Sequence, residues 1–136
     1  MSLITLPHGV FILDTSGSEK GVAANPIEVR ESDLIATGSC TTTPLSASTA
    51  FTGSWTATSG YSHIYGHAYS NVASATNGMT VDFSNDATNI DWSESHTLPA
   101  AQNVVQLIPV LGKYFRFRFL NDGSAQSTFR MTAIMQ

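Results

Sequence analysis

The chain has 136 residues, 6 of them Lys or Arg against 10 Asp or Glu, for a formal net charge of −4; only 12% are charged, about half the usual share of a soluble domain. That length suits one core, the mild acidity without a basic stripe argues against a nucleic-acid partner, and the single cysteine, Cys40, excludes an intrachain disulfide or a thiolate metal cluster. The surface must be built largely from Ser, Thr, Asn and Gly, a composition that packs readily against other protein.

In chain order, Met1 to Asp14 is apolar but has no basic segment and is broken by Pro7 and Gly9, so it reads as no signal peptide. No apolar run approaches the ~20 residues that cross a bilayer, and no membrane partner is expected. Sustained i, i+3, i+4 apolar spacing with caps is missing throughout, so the chain reads as all-β. Strands are expected near Val10 to Asp14, Ile27 to Arg30, Asp33 to Thr37, Gly53 to Thr58, Ser62 to Ser70, Met79 to Ser84, Ile90 to Thr97, Asn103 to Val110, Lys113 to Leu120 and Thr128 to Met135. Many short strands between Gly, Asn and Ser breaks imply an antiparallel β-sandwich, jelly-roll-like, with an extended N-terminal arm.

The division falls at residue 50: residues 1–50 as arm and outer strands, 51–136 as the sandwich. Thr15 to Ala50 holds few large apolar residues. Ordering a residue costs about 1–2 kcal/mol of backbone entropy, which demands roughly 40 Å² or more of apolar burial each at ~25 cal/mol per Å². The arm is therefore expected to order only against its own sandwich or a neighbour. A stretch of ~20 residues reaches roughly 65 Å when extended, enough to cross onto an adjacent subunit.

At the C-terminal end, Phe115, Phe117 and Phe119 share one face of a period-two strand and Tyr114, Arg116 and Arg118 the other; Phe129, Met131, Ala133 and Met135 repeat the apolar pattern. Asn121-Asp-Gly between them has hairpin chemistry, so the two strands are expected to pair with each other.

His63, Tyr65, His67 and Tyr69 line one face of a strand. The two His are about 13 Å apart at ~3.3 Å per residue, too far to share an ion within one chain, and the stripe reads as surface or subunit contact. Asp82, Ser84 and Asp86, with Asn89 and Asp91 nearby, resemble a calcium loop only loosely, without the EF-hand glycine and bidentate Glu; Asx-turns are the expected role. Cys40 has no base or cation beside it and reads as an incidental thiol. Asp91 and Glu94 are a carboxylate pair of the type glycosidases use, with solvated carboxylates as the plainer reading. Trp55 and Trp92 are packing anchors or, alternatively, sugar-stacking platforms. Arg116, Arg118 and Arg130 face outward, to pair with acidic groups of a partner subunit or, on the plainer reading, for ordinary cross-strand solvation or intrachain pairing.

Trp55, Ser59-Gly-Tyr-Ser62, Phe83-Ser-Asn-Asp86, Asn89-Ile-Asp-Trp92, Lys113-Tyr-Phe-Arg-Phe117 and Asn121-Asp-Gly-Ser-Ala-Gln-Ser-Thr-Phe-Arg130, taken in order, resemble a small β-sandwich module of tailed-bacteriophage virion structural proteins, of the capsid decoration or cement type. The resemblance covers about the last three-fifths of the chain. It departs at Ala87, where a turn glycine is usual, and at Gly66 and Ala68, where larger β-branched residues are common.

The resemblance implies a non-enzymatic virion protein, made in the host cytoplasm and carried on the outer capsid surface, with the major capsid protein and itself, as a homotrimer, for partners. It implies no cofactor, metal or catalytic residue. The contacts expected on that reading are Leu3, Ile4, Phe11, Leu13, Tyr65, Tyr69, Arg116 and Arg118. The alternative is a receptor- or glycan-binding module of a tail or head fibre, with Trp55 and Trp92 as stacking residues.

Overall fold

The computed structural model describes residues 3–6, 9–12 and 33–136, and the chain divides into two compact units, Met1–Glu31 and Ser32–Gln136. In the first, β1 (Leu3–Leu6) pairs antiparallel with β2 (Gly9–Ile12), placing Ile4 opposite Phe11. The expected strand at Ile27 to Arg30, and Leu13, lie outside the described residues.

The second unit is a sandwich of two antiparallel sheets. Its strands are β3 (Leu34–Ile35), β4 (Ala50–Thr52), β5 (Thr56–Ala57), β6 (His63–Ser70), β7 (Ser74–Ser84), β8 (Trp92–His96), β9 (Gln102–Pro109), β10 (Tyr114–Asn121) and β11 (Phe129–Met135), with one 3₁₀ turn at Thr37–Ser39. One sheet has the order β4-β10-β7-β8, with β5 also on β10; the other has the order β3-β11-β6-β9. β4 and β5 are two pieces of a single interrupted edge, since both pair with β10 and the Gly53 N–H between them still donates to the Phe117 carbonyl at 2.8 Å. The boundary expected at residue 50 falls inside this unit: Ile35 pairs with Ile134, Thr41 bridges Met131, and the Ala36 N–H donates to the Ala133 carbonyl.

The period-two reading of the last two strands holds for burial. Phe115, Phe117, Phe119, Phe129, Met131, Ala133 and Met135 are all buried and form the core with Ile64, Met79, Val81, Phe83, Leu98 and Ile108. The expected pairing of β10 with β11 is wrong. β10 lies between β4/β5 and β7, whereas β11 lies between β3 and β6 in the opposite sheet. The two apolar faces meet across the sandwich, where the Phe119 and Phe129 rings approach to 4.5 Å between centroids.

Residues 122–128 are thus an arch from one sheet to the other, and Asn121 is its anchor rather than a turn residue. Asn121 is buried, and its amide nitrogen donates to the carbonyls of Ser124 (2.7 Å), Ser46 (2.9 Å) and Leu45 (3.3 Å). At the far end, Asn71 Oδ1 accepts the N–H groups of Ser127 and Thr128. Pairing these strands as a hairpin would keep both Phe rows in one sheet and leave the other without its apolar face.

Of the departures from the phage module, Gly66 has a local cause and Ala87 retains the backbone conformation of the glycine usual there. Gly66, directly opposite Ala133, lies beneath the Phe117 ring, and a Cβ there would sit 2.6 Å from Phe117 Cζ. Small residues on β6 and β11 are the space into which the facing Phe side chains fit. Ala87 has φ +58°, the left-handed conformation for which glycine is usual.

Candidate interaction surfaces

The outer face of the β3-β11-β6-β9 sheet carries one uninterrupted apolar row. Register places Leu107 (β9), Tyr65 (β6), Ile134 (β11) and Ile35 (β3) side by side across all four strands. Leu107 and Ile35 are 57% and 55% exposed, and Val105, in the next row beside His67 and Thr132, is 56% exposed. The third row is polar: Tyr69 lies between Asn103 and Arg130, the Arg130 guanidinium sits 5.0 Å from the Tyr69 ring, and it donates to Asn103 Oδ1 at 3.0 Å. The three cross-strand rows contain no carboxylate among the described residues, and the apolar part is contiguous.

β9 is one of the two edge strands of that sheet among the described residues, β3 being the other. The β9 sequence Gln-Asn-Val-Val-Gln-Leu-Ile-Pro is uncharged. The Val110 N–H donates to the Ser62 carbonyl, and antiparallel alternation from that bond turns the N–H groups of Asn103, Val105 and Leu107 away from β6. Pro109 occupies the same parity, where a missing N–H costs nothing.

The outer face of the other sheet is built differently. Asp82, in the central strand β7, is fully buried although it lies on the outward parity, because side chains from both neighbouring strands close over it. Arg116 and Ser93 are its direct cross-strand neighbours, and Arg118 reaches it diagonally. Asp82 Oδ1 accepts from Ser93 Oγ (2.7 Å) and Arg118 Nη2 (2.8 Å), and Oδ2 accepts from Arg118 Nε (2.6 Å) and Arg116 Nε (3.1 Å). Burial pushes this carboxyl up, but the bonds from Arg118, Ser93 and Arg116 together outweigh it and hold it below the ordinary carboxylate range. The same bond raises Arg118 further. The Arg116 guanidinium also lies over Trp55, 4.3 Å from the ring centroid.

The remaining residues singled out by sequence fall into place individually. Asp82 and Asp86 do not converge on an ion: Asp82 is saturated by the two arginines, and Asp86 Oδ1 accepts the N–H groups of Thr88 and Asn89, both at 2.8 Å. That is an Asx-turn, and the Asn89 bonds hold the exposed Asp86 carboxyl well below its ordinary range. His63 Nδ1 meets Ser62 Oγ at 2.8 Å and His67 lies in the Val105 row. Among the described residues, no three His, Cys, Asp or Glu side chains gather as a metal site.

Asp91 bonds Asn85 while Glu94 pairs with His96 at 3.0 Å, so the two carboxylates are engaged separately. Cys40 donates its thiol to the Ala36 carbonyl. Trp92, on β8, is 54% exposed, whereas Trp55 is half-buried under Arg116. Leu3, Ile4 and Phe11 belong to the N-terminal hairpin.

Sequence reasoning singled out Tyr65 and Tyr69 on this face but not Ile35, Leu107 and Ile134 beside Tyr65, nor Val105 in the next row. A signal existed in β9, where both parities are apolar: Val104 and Ile108 turn inward while Val105 and Leu107 turn outward.

The protein is, by this architecture, an antiparallel β-sandwich module with an uncharged apolar surface on one sheet and an arginine-framed carboxylate on the other. More narrowly, residues 29–136 match the family described as the N-terminal domain of the uncharacterised protein YqxG, and the chain belongs to that family. No curated protein matches the sequence. Among solved structures, the crystal structure of PBSX exported protein XepA is similar in fold, with 17% identity and a TM-score of 0.60 over 97% of this chain. The chain spans half the length of XepA. A chain from the disulfide-linked pili of Bacillus endospore appendages stands further off, at 11% identity and a TM-score of 0.45, covering 76% of this chain and 85% of that one.

Proposed function

We propose that this is a non-enzymatic structural protein of a phage-related particle, a decoration or cement protein that binds the outer surface of the head. The observation that carries the reading is the Leu107-Tyr65-Ile134-Ile35 row, an apolar surface running across a whole sheet with no carboxylate in it. A free-standing domain gains nothing from exposing such a row, and an assembled one buries it. The virion-module resemblance points the same way, and a role on an outer surface suits a fold shared with an exported protein.

On this reading the sandwich sits over junctions between major capsid subunits as a homotrimer, with Tyr65 and Tyr69 in the contact. The N-terminal segment carrying Leu3, Ile4, Phe11 and Leu13 packs across neighbours. Each contact is modest, and repetition on a lattice makes the sum large.

Quantifying the protein against the major capsid protein in purified particles tests the reading. Hundreds of copies per particle are expected, and a few dozen or fewer would move the protein to a fibre or neck. Leu107→Glu should leave the fold intact and abolish binding to heads; undiminished binding would remove the apolar row from the interface. The fibre alternative keeps one structural support, the exposed Trp92, and glycan-array binding lost in Trp92→Ala would favour it.

A further inference from the structure

The cluster on the second sheet has capacity left over. Asp82 accepts four hydrogen bonds, two on each oxygen, and so is filled. Two guanidinium groups share that one carboxylate, leaving one excess positive charge within the cluster, in a protein whose net charge is −4. Arg116 contributes only its Nε to Asp82; its two terminal nitrogens, with four N–H groups, have no hydrogen-bond partner among the described residues. Its side chain retains 21% of its exposure, so those groups reach solvent.

The fork is also held still. Nε is pinned to Asp82 Oδ2 at 3.1 Å and the guanidinium lies over the Trp55 ring at 4.3 Å. Most of the conformational entropy a long side chain loses on binding has therefore already been lost. A planar guanidinium with its terminal nitrogens presented is shaped to take a carboxylate in bidentate fashion. Trp55 is roofed on that side by Arg116, so this face of its ring is not open to a sugar. Trp, Arg and a half-buried setting are also the composition of an interface anchor.

We propose that Arg116, framed by Asp82, Arg118 and Trp55, is a docking point for an Asp or Glu side chain of a partner protein, on the face opposite the apolar row. This goes beyond the capsid reading and stands whichever assembly the protein joins. It also gives the module two chemically distinct contact faces, one apolar and one that selects an acidic group.

The test needs only the isolated protein. The ¹⁵N-labelled chain is titrated with a capped hexaglutamate peptide, its hexaglutamine counterpart and inorganic phosphate, while the Arg116 Nε–H and Trp55 indole N–H resonances are followed. Hexaglutamate is expected to shift both saturably, with salt weakening the effect and hexaglutamine producing none. Arg116→Gln should weaken binding by about tenfold or more, the loss of one anchor. Arg116→Lys, which keeps the charge but not the fork, should recover only part of it.

Arg118 still holds Asp82 in both variants, and a retained cooperative thermal transition with a dispersed amide spectrum, even at a somewhat lower Tm, would confirm that they remain folded. Arg130→Gln, on the other sheet, should leave the titration unchanged. The proposal is overturned if hexaglutamine shifts the same resonances, if Arg116→Lys binds as well as the parent, if Arg130→Gln weakens binding as much as Arg116→Gln, or if phosphate binds as tightly as the peptide. The last two results would mean a diffuse anion effect. Loss of peptide binding with head binding retained would separate this site from the apolar row.

Discussion

Asp82→Asn is expected to lower the stability of the sandwich by about 2–4 kcal/mol. Asn fits the same space, but one of its two terminal atoms becomes a donor facing donors. If nitrogen takes the Oδ2 position, both Arg Nε bonds are lost; at the Oδ1 position, the Arg118 Nη2 bond is lost. Charge assistance disappears from whatever remains. Hydrogen bonds to charged groups contribute about 1.5–3 kcal/mol each, and removing one member of a buried ionic cluster costs about 3–5 kcal/mol. The Arg116 and Arg118 side chains are 21% and 39% exposed, so they rehydrate in part, which sets the lower range.

For a unit of this size the corresponding fall in Tm is about 10–20 °C. Urea denaturation gives the free energy directly, and acid gives an independent check. Because the folded carboxyl titrates below its ordinary range, its contribution is full above the unfolded carboxylate's pKa and is lost as pH falls through the folded value. The parent should therefore lose more stability than Asp82→Asn as pH falls from neutral into the acid range. A difference under about 1 kcal/mol at neutral pH, together with parallel acid profiles, would refute the assignment of Asp82 as the centre of this face.

Gly66→Ala should cost about 1–3 kcal/mol, since the new Cβ would sit 2.6 Å from Phe117 Cζ in a ring that is 1% exposed; adding Phe117→Leu should recover part of the loss in thermal unfolding. Ala87→Gly should stabilise by about 0.5–1 kcal/mol in urea, because relief of a left-handed alanine, worth about 1–2 kcal/mol, exceeds the added freedom of the unfolded chain. Asn121→Asp should cost about 3 kcal/mol or more by setting a carboxylate against the carbonyls of Leu45, Ser46 and Ser124. That loss should shrink as pH falls, because the protonated acid regains a donor, and Tm measured against pH will show it.

The fold class and the core were legible because period-two alternation is local: Phe115, Phe117 and Phe119 announce a half-buried strand from within their own sequence. Which strand lies beside it is not local. The Asn121-Asp-Gly stretch has the same composition whether it turns back within one sheet or arches to the other, and only the acceptors supplied from Leu45 and Ser46 decide the matter. The same limit hid the Asp82 site. Arg116 and Arg118 lie 34 and 36 positions away, and nothing near Asp82 in sequence distinguishes a carboxylate that receives two arginines from one that makes a turn. β4 escaped notice because Ala50-Phe51-Thr52 is too short to show a period, and β7 starts at Ser74 rather than Met79 because small residues gave no apolar signal.

The way the chain commutes between sheets bears on how it folds. Among successive strands of the sandwich, only β7 and β8 are sequence neighbours that pair, across residues 85–91; the β4 to β5 step stays on one edge, and every other step crosses to the opposite sheet. Within the sandwich unit, a local hairpin can therefore form early only at β7 and β8, within microseconds. All remaining pairings close long loops before any contact rewards them, which places the domain with slow, high-contact-order folders on the millisecond-to-second scale. The transition state should be polarised around β7 and β8, with β10 joining next because it pairs along nearly the whole of β7. Substitutions in β8 should then slow folding, while those in β3 or β9 mainly speed unfolding.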